Sequence, residues 1–342
     1  MPRNQQILLA SRPEGEATAS NFKLVTTDTP ALRDGQVLVR HHYLSLDPYM
    51  RGRMSDAKSY AAPQALGEVM IGGTVGEVVE SRHPKFAPGD KVVGMGGWQD
   101  YAVVDAAQPG VLSKVQAGDG PGQVPLSHYL GAAGMPGVTA WYGLVKIIEP
   151  KPGQTVTVSA ASGAVGSAYG ALAKARGCRV VGIAGGKEKC DYVVNDLGFD
   201  ACIDYKQYTD AGSLSKALKA ACPDGIHGHF ENVGGMVLDA VLSRINAHGR
   251  IALCGMIAGY NGAPVPLTYP QLLLTQRIRL EGFIVSEHME VWPEALKELV
   301  GLVASGKLRP RETVASGLAA APEAFLGMLK GRNFGKQLVK LV

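Results

Sequence analysis

The chain has 342 residues, 46% of them hydrophobic and 19% charged, which is enough for two globular domains with substantial cores. Its formal net charge is only +4, and no basic stripe with interleaved aromatic residues favours nucleic-acid binding. No apolar run reaches the roughly 18 residues of a membrane span, and the run at 7–10 is too short for a signal-peptide core. We therefore expect a cytoplasmic protein.

The five cysteines are widely spaced, which fits neither a disulfide framework nor a Cys-x-x-Cys metal site. They lie at Cys178, Cys190, Cys202, Cys222 and Cys254. Reduced thiols are the simplest interpretation of this pattern.

Residues 1–125 are predicted to form a β-rich domain. Its candidate strands are 5–10, 35–46, 71–80, 91–93 and 100–104. Proline and glycine separate these runs, as they do at 86–90, and such residues are typical of turns between strands.

Residues 126–305 change to alternating strands and helices. After a first strand near 155, helices are predicted at 187–197, 213–221 and 236–245, and strands at 179–184, 201–204, 226–231 and 250–254. This alternation predicts a parallel sheet with right-handed crossovers. The tail, 306–342, is predicted to contain a helix at 322–330 and a strand at 336–342, and to rejoin the first domain. A cleft between the two domains is then the expected ligand site.

A glycine-rich turn follows the strand that begins at Thr155. It places Ala161, Gly163 and Gly166 at the three key positions of a dinucleotide-binding fingerprint. Gly163 lets backbone approach a pyrophosphate, and Gly166 lets the following helix pack closely on the strand. The N–H groups at the helix N-terminus, including Ala164 and Val165, are then predicted to face the phosphates.

The next strand lacks the acidic residue that binds the ribose of NAD. It ends in Gly185 and Gly186, followed by Lys187 and Lys189. The loss of a carboxylate and the gain of ammonium groups favour a 2′-phosphate, so we predict NADP(H) as the cofactor. Lys189 is the stronger lysine candidate, and Gly186 would contribute its backbone N–H.

Five further motifs carry a family resemblance. They are Leu-Ser-Leu-Asp-Pro-Tyr-Met-Arg-Gly-Arg (44–53), Gly-Met-Pro-Gly-Val-Thr-Ala (134–140), Glu-Asn-Val-Gly-Gly (231–235), Cys-Gly-Met-Ile-Ala-Gly-Tyr-Asn (254–261) and Gly-Arg-Asn-Phe-Gly-Lys (331–336). Nearly the whole chain resembles the zinc-independent enone reductases of the medium-chain dehydrogenase/reductase superfamily. It is most similar to their curcumin reductase type, because it shares the segments Ala-Ser-Arg-Pro (10–13) and Gly-Trp-Gln-Asp-Tyr (97–101).

The resemblance implies an α/β fold, with a GroES-like β-barrel domain and a doubly wound Rossmann domain. It also implies NADPH-dependent reduction of a carbon–carbon double bond conjugated to a carbonyl. It further implies a homodimer, and we consider the apolar stretch 272–285 as its interface. We place further cofactor contacts at Thr139, Tyr205, Asn232, Cys254, Phe283 and Asn333. Cys254 is interpreted as a small buried residue beside the cofactor rather than a nucleophile, because nothing near it in sequence suggests a base.

Tyr260 is the first candidate for chemistry. Its phenol, with an ordinary pKa near 10, is protonated at neutral pH and can donate to a carbonyl oxygen that becomes an enolate. The resemblance gives it this role, beside the ribose hydroxyl. Tyr49 is predicted to border the nicotinamide and the substrate. Arg51, Arg53 and Met54 are candidate pocket walls.

Zinc-dependent relatives use a cysteine and a Gly-His-Glu run as ligands. In this chain, Leu44 lies in the region of the cysteine ligand, and Gly72 and Gly73 lie in the region of the Gly-His-Glu run. The chain also lacks the four-cysteine structural zinc site. His227 and His229 share one face of a strand without nearby ligands, so we interpret them as structural. Two alternatives remain open: a quinone oxidoreductase, and a non-catalytic NADPH-binding protein.

Overall fold

The computed structural model describes residues 2–342, which divide into two compact units. The first unit contains the residues up to Leu130 together with Glu312–Val342, and the second contains Gly131–Arg311. The sequence-based boundaries at 125 and 305 compare with unit boundaries at 130 and 311.

The first unit is built mainly from strands. In chain order up to residue 130 its elements are β1 (Arg3–Leu9), β2 (Phe22–Asp28), β3 (Gln36–Ser45), α1 (Tyr49–Arg53), β4 (Thr74–Ser81), β5 (Lys91–Gly94), β6 (Tyr101–Asp105) and β7 (Leu112–Lys114).

The second unit alternates strands and helices. Its elements are α2 (Met135–Tyr142), which continues into a π-helix (Gly143–Ile148), β8 (Thr155–Ser159), α3 (Ala164–Ala175), β9 (Arg179–Ala184), α4 (Lys187–Asn195), β10 (Ala201–Asp204), α5 (Ala211–Ala221), β11 (Ile226–Glu231), α6 (Gly235–Leu242), β12 (Ile245–Leu253), α7 (Gln271–Thr275), β13 (Arg279–Gly282) and α8 (Trp292–Ala304).

The last segment of the chain returns to the first unit. It contains β14 (Glu312–Ser316), α9 (Ala321–Leu329) and β15 (Lys336–Lys340). Strand β15 pairs antiparallel with β3 and parallel with β14, and the sheet runs β14-β15-β3-β4-β5-β7, with β6 also paired with β3.

The core of the first unit is aromatic and methionine-rich. Phe22 stacks on Trp98 with ring centroids 5.4 Å apart, and Phe325 of α9 packs edge-on against both rings. Met50 and Met54 of the α1 region are fully buried in the same cluster. Burial of these large side chains fixes the turn between β3 and α1, which carries Tyr49.

The second unit contains a parallel sheet in the order β10-β9-β8-β11-β12-β13. Numbered from β8, this is the 3-2-1-4-5-6 order of the doubly wound fold, and it confirms the expected α/β class. The direction of winding reverses between β8 and β11, and ligands of such sheets bind outside the carboxyl ends of the strands at that point. Every residue of β8 is buried, as in a strand covered by helices on both faces.

Within residues 2–342, no helix is both long and apolar enough to cross a membrane.

Candidate active site

The glycine turn after β8 has the close packing that its sequence predicted. Gly163 is the N-cap of α3, with no side-chain hydrogen bond to the cap, and Ala164 and Val165 are the first residues of the helix. A Cβ on Gly166 would lie 2.4 Å from the Ala160 carbonyl oxygen and 2.7 Å from Ala161 Cα. Only glycine therefore lets α3 approach the turn this closely. The helix N-terminus offers first-turn N–H groups that suit a pyrophosphate.

The structure brings several of the predicted 2′-phosphate residues together. A Cβ on Gly185 would lie 2.9 Å from the Tyr205 ring and 3.0 Å from Lys206 Cε, so these side chains cover the end of β9. Lys189 is half-buried, and burial together with the neighbouring Lys206 ammonium lowers its pKa. Two ammonium groups converge here, as expected for a site that receives an anion. Lys206 was not among the predicted residues.

The backbone at Gly186 differs from the expectation. Its N–H, which we expected to remain available to the phosphate, donates to Asp204 Oδ1 at 2.7 Å. Asp204 also accepts from the Lys206 N–H and so orders the turn after β10. Gly186 has φ of +104°, a conformation that favours glycine, so its role in the structure is the turn itself. Lys187 is exposed and pairs with Asp191 at 2.5 Å.

A buried polar network links β8 and β11 where the winding reverses. Ser159 Oγ donates to Glu231 Oε1 at 2.6 Å and accepts from the Asn232 N–H at 2.7 Å, while Asn232 Nδ2 donates to the Ser159 carbonyl at 2.8 Å. His229 lies 3.0 Å from Glu231 Oε2 and 2.7 Å from Thr157 Oγ1.

Glu231 is the centre of that network. Burial opposes its ionisation, but hydrogen bonds from His229, Ser159 and the Val233 N–H outweigh burial and lower its pKa. The network holds Asn232 rigidly at the carboxyl edge of the sheet. It also gives His229 structural partners, and His227 accepts from the Thr155 N–H.

Tyr260 lies at the carboxyl end of β12, after a single 3-10 turn, Ile257–Gly259. Its hydroxyl oxygen accepts from the Met256 N–H at 3.4 Å, and a Cβ on Gly255 would lie 3.0 Å from it. The same Cβ would lie 3.4 Å from the Asn232 carbonyl, so Gly255 allows Tyr260 and Asn232 to share this edge of the sheet.

Cys254, at the end of β12, is a neutral thiol. Burial raises its pKa to about 12, and its N–H donates to the Glu231 carbonyl at 3.0 Å. An unionised thiol is a poor nucleophile, which supports the interpretation of Cys254 as a packing residue.

Tyr49, at the start of α1 in the first unit, is held by a buried ion pair. Lys336 Nζ donates to Asp47 Oδ1 at 2.6 Å and to the Leu46 carbonyl at 2.8 Å, and Ser45 bonds the other carboxylate oxygen. Burial, and then the Asp47 charge, raise the pKa of Tyr49, so its phenol is neutral at physiological pH. Of the candidate pocket walls, Arg51 is buried against the Gly15 carbonyl and Met54 is fully buried.

Three other predicted cofactor residues have internal partners. Thr139 Oγ1 donates to the Met135 carbonyl at 2.8 Å within α2, so its hydroxyl proton is engaged in a hydrogen bond inside the helix. Asn333 Nδ2 donates to the Gly335 carbonyl at 2.7 Å across its own turn. Phe283 stacks on Tyr142 with centroids 5.2 Å apart and contacts Phe230 edge-on.

The positions at which zinc-dependent relatives carry ligands are packed with apolar groups. Leu44 is fully buried, and a Cβ on Gly72 would lie 2.9 Å from Leu44 and 3.0 Å from Trp98. A ligand side chain at Gly72 would therefore collide with the side chains of Leu44 and Trp98. Among the residues that the structure describes, no group of three or more histidine, cysteine, aspartate or glutamate side chains is placed to hold a metal ion.

Two family models match the chain. One is described as the N-terminal domain of oxidoreductase and covers residues 5–112, and the other is described as zinc-binding dehydrogenase and covers 164–301. NADPH-dependent curcumin reductase of Escherichia coli (strain K12) is 46% identical over 346 residues, covering 99% of this chain and 97% of that protein. This chain belongs to the medium-chain dehydrogenase/reductase family.

Two other members of the family are similar over almost the full length. The NADP(+)-dependent 2-alkenal reductase of Nicotiana tabacum is 44% identical over 342 residues, covering 98% of this chain and 97% of that protein. The crystal structure of CurA in complex with NADPH, from Vibrio vulnificus, superposes with a TM-score of 0.90 at 46% identity, covering 99% of each chain. The fold is that of the medium-chain dehydrogenase/reductases: a GroES-like N-terminal domain and a Rossmann domain. Although one family model is described by zinc, the packing around Gly72 does not fit a zinc site in this member.

Proposed function

We propose that the protein is an NADPH-dependent reductase of carbon–carbon double bonds conjugated to a ketone or an aldehyde. The observation that carries the proposal is the Tyr260 hydroxyl at the carboxyl edge of the doubly wound sheet, in a chain 46% identical to a curcumin reductase. The two lysines at the acid-free end of β9 support NADPH rather than NADH as the cofactor.

The proposed cofactor site runs along one edge of the sheet. The N-terminus of α3, behind Gly163, binds the pyrophosphate, and Lys189, Lys206 and Tyr205 bind the 2′-phosphate. Asn232 is fixed by Ser159 for a contact on the nicotinamide side. When bound, NADPH supplies the hydride that adds to the β-carbon of the substrate.

In this proposal Tyr260 stabilises the charge that hydride addition creates on the carbonyl oxygen. Its phenol donates a hydrogen bond to that oxygen, and the bond strengthens as the enolate forms, so the transition state gains more than the ground state. The hydrogen bond that the hydroxyl accepts from the Met256 N–H polarises the O–H and improves it as a donor.

Tyr49 is proposed to contact the substrate. Its neutral phenol provides an apolar ring and one polar end, and the Asp47–Lys336 pair fixes the turn that carries it. Asn333, three residues before Lys336, is proposed to contact the nicotinamide through the carbonyl of its side chain, because its amide N–H is bonded to Gly335.

The test is NADPH oxidation against alkenals, aryl enones and quinones, with a chelator present because zinc does not fit at Leu44 and Gly72. We expect turnover of the alkenals and enones to saturated carbonyl products. Turnover of quinones alone would favour the quinone oxidoreductase alternative. NADPH binding without turnover of any of the three classes would favour a non-catalytic protein.

We also propose that the protein is a homodimer formed across the β13 edge of the parallel sheet. Strand β13 pairs with β12 on one side, and Leu274 and Tyr269 in the preceding segment are 78% and 41% exposed. An apolar segment beside an open strand edge suits pairing with a second copy. Sedimentation should give the mass of two chains, and Leu274→Glu should shift it towards one.

A cytoplasmic location is proposed from the thiols. All five cysteines are free, which is the usual state in a reducing compartment. Fractionation of cells that express the protein should place its NADPH-dependent activity with the cytoplasmic proteins.

A further inference from the structure

Two cysteines that are distant from Tyr260 in sequence form a close pair at the start of α4 and the middle of β10. Cys202 Sγ donates to Cys190 Sγ across 2.8 Å, and both side chains are partly exposed. A disulfide has an S–S length of about 2.05 Å, so the two sulfurs need to approach by only about 0.8 Å to bond. By contrast, Cys178 and Cys222 are buried and appear in no such pair.

The environment of the pair favours a nucleophilic thiolate at Cys190. This residue lies in the first turn of α4, whose N-terminus stabilises negative charge. The hydrogen bond from Cys202 lowers the pKa of Cys190 and raises that of Cys202. Burial and the carboxylates of Asp204 and Asp191 oppose ionisation of Cys190, and the Ala184 N–H favours it. This environment favours Cys190 as the attacking sulfur and Cys202 as the resolving one.

We propose that Cys190 and Cys202 are a redox-active dithiol, which a peroxide oxidises to a disulfide that alters the adjacent 2′-phosphate site. The Cys190 thiolate attacks one peroxide oxygen, breaks the O–O bond and becomes a sulfenic acid, and the other oxygen leaves as water. The Cys202 sulfur then attacks the sulfenic sulfur, forming the S–S bond and releasing a second water. Overall, two thiols and one hydrogen peroxide give one disulfide and two waters, and a dithiol reductant reverses the oxidation.

The position of the pair connects it to the cofactor. Lys189 directly precedes Cys190 on α4, and Tyr205 and Lys206 directly follow β10 in the 3-10 turn Tyr205–Gln207. A bond between the two sulfurs pulls the start of α4 towards β10 and shifts Lys189 relative to Lys206. This effect on the cofactor rests on the proposed function, whereas formation of the disulfide does not.

The sequence makes the disulfide easy to detect. Trypsin cleaves after Lys189 and Lys206, with no lysine or arginine between them, so both cysteines fall in the peptide 190–206 and no other cysteine does. After treatment with hydrogen peroxide, this peptide should lose about 2 Da relative to its reduced form. A second cleavage after Phe199 should leave the two halves joined until a dithiol reductant separates them.

The kinetic measurement uses the same oxidised protein. The KM for NADPH should rise by at least about threefold, since a charged hydrogen bond to the 2′-phosphate is displaced. The KM for NADH, which lacks that phosphate, should stay nearly constant, and the dithiol reductant should restore both values.

Two variants make the outcome decisive. Cys202→Ser removes the resolving sulfur, so peroxide should add oxygen to Cys190 and give no crosslink, whereas Cys222→Ala keeps the pair and should still form the crosslink.

Failure to form the crosslink in the wild-type protein overturns the proposal. A crosslink with an unchanged ratio of the two KM values overturns its connection to the cofactor. If the wild-type protein uses NADPH and NADH equally before oxidation, the proposed cofactor site has failed instead, and the crosslink result stands separately.

Discussion

At the scale of single residues, the lysines beside Gly185 are proposed to determine the choice of cofactor. Lys189→Ala should weaken NADPH binding by about 1.5–3 kcal/mol, the cost of losing a charged hydrogen bond, and should change NADH binding little. Lys206→Ala should also weaken NADPH, but less, because its removal relieves the repulsion that lowers the pKa of Lys189. Titration of each cofactor by fluorescence measures both effects.

Lys187→Ala is the matched control. Lys187 is exposed and paired with Asp191, so its loss should leave both cofactors unaffected. Equal losses of NADPH and NADH affinity in Lys189→Ala would contradict the assignment of the 2′-phosphate site.

Tyr260→Phe tests the proposed stabilisation of the enolate. The ring stays in place and one donor is lost, so hydride transfer should slow by about tenfold, which corresponds to about 1.4 kcal/mol. NADPH affinity should change little. Single-turnover transfer from bound NADPH to an enone measures this directly, and an unchanged rate would leave Tyr49 as the next candidate.

Single residues also show where the sequence was informative and where it was not. Gly163 and Gly166 were predictable as turn glycines because the dinucleotide fingerprint encodes a backbone requirement, whereas Gly185 was predicted from the missing acidic residue at the end of its strand. The proposed contribution of Lys206 was not predicted, since a lysine after a strand is usually solvated, and only the structure places it over Gly185 and near Lys189. The Gly186 N–H was expected to remain available, but Asp204, eighteen residues later, accepts its hydrogen bond.

At the scale of elements, the packing of α3 on its turn depends on one glycine. Gly166→Ala places a Cβ 2.4 Å from backbone that cannot yield without separating α3 from β8, so stability and NADPH affinity should both fall. Gly301 provides a matched control inside α8, with nothing within 4 Å of its Cβ. There the same substitution should stabilise the protein by about 0.5–1 kcal/mol through helix propensity. Thermal unfolding and NADPH titration of both variants check the contrast, and a destabilised Gly301→Ala protein or a stable, NADPH-binding Gly166→Ala protein would contradict it.

The join between β3, α1 and β15 depends on the buried pair of Asp47 and Lys336. Lys336→Met leaves the Asp47 carboxylate buried without its cation and should cost about 3–5 kcal/mol of unfolding free energy. Adding Asp47→Asn to that variant removes the buried charge and should recover part of the loss. Denaturant unfolding of the single and double variants measures this, and equal stability of the wild type and Lys336→Met would show that the pair is unimportant.

The elements that the sequence predicted are those in which hydrophobic residues recur with a strong helical or strand periodicity. The alternation from β8 to β12 was read correctly because fully buried strands and amphipathic helices differ in length and pattern. Strands β2 and β14 were missed, since most of their residues are exposed or half-buried and their pattern is weak. Helix α8 was also missed, although Ala295, Leu299 and Val303 are buried at regular spacing, so its signal was present in the sequence.

At the scale of the whole molecule, the two units have different proposed tasks. The second unit supplies the proposed sites for the pyrophosphate, the 2′-phosphate and the enolate, along one edge of a sheet in 3-2-1-4-5-6 order. The first unit supplies Tyr49 and Asn333, on a turn and a loop that converge on the Asp47–Lys336 pair. The sequence predicted both sets through local motifs and the family resemblance, whereas the pairs that hold them connect residues far apart in the chain.

In the proposed reaction, hydride from NADPH adds to the β-carbon of a conjugated carbonyl compound. It is tested most directly by reacting an enone with NADPH that carries deuterium at the transferred position, and locating the label in the product by NMR. We expect a saturated ketone with deuterium on its β-carbon. An allylic alcohol with deuterium on the former carbonyl carbon, or no transfer of label to any enone or enal, would contradict it.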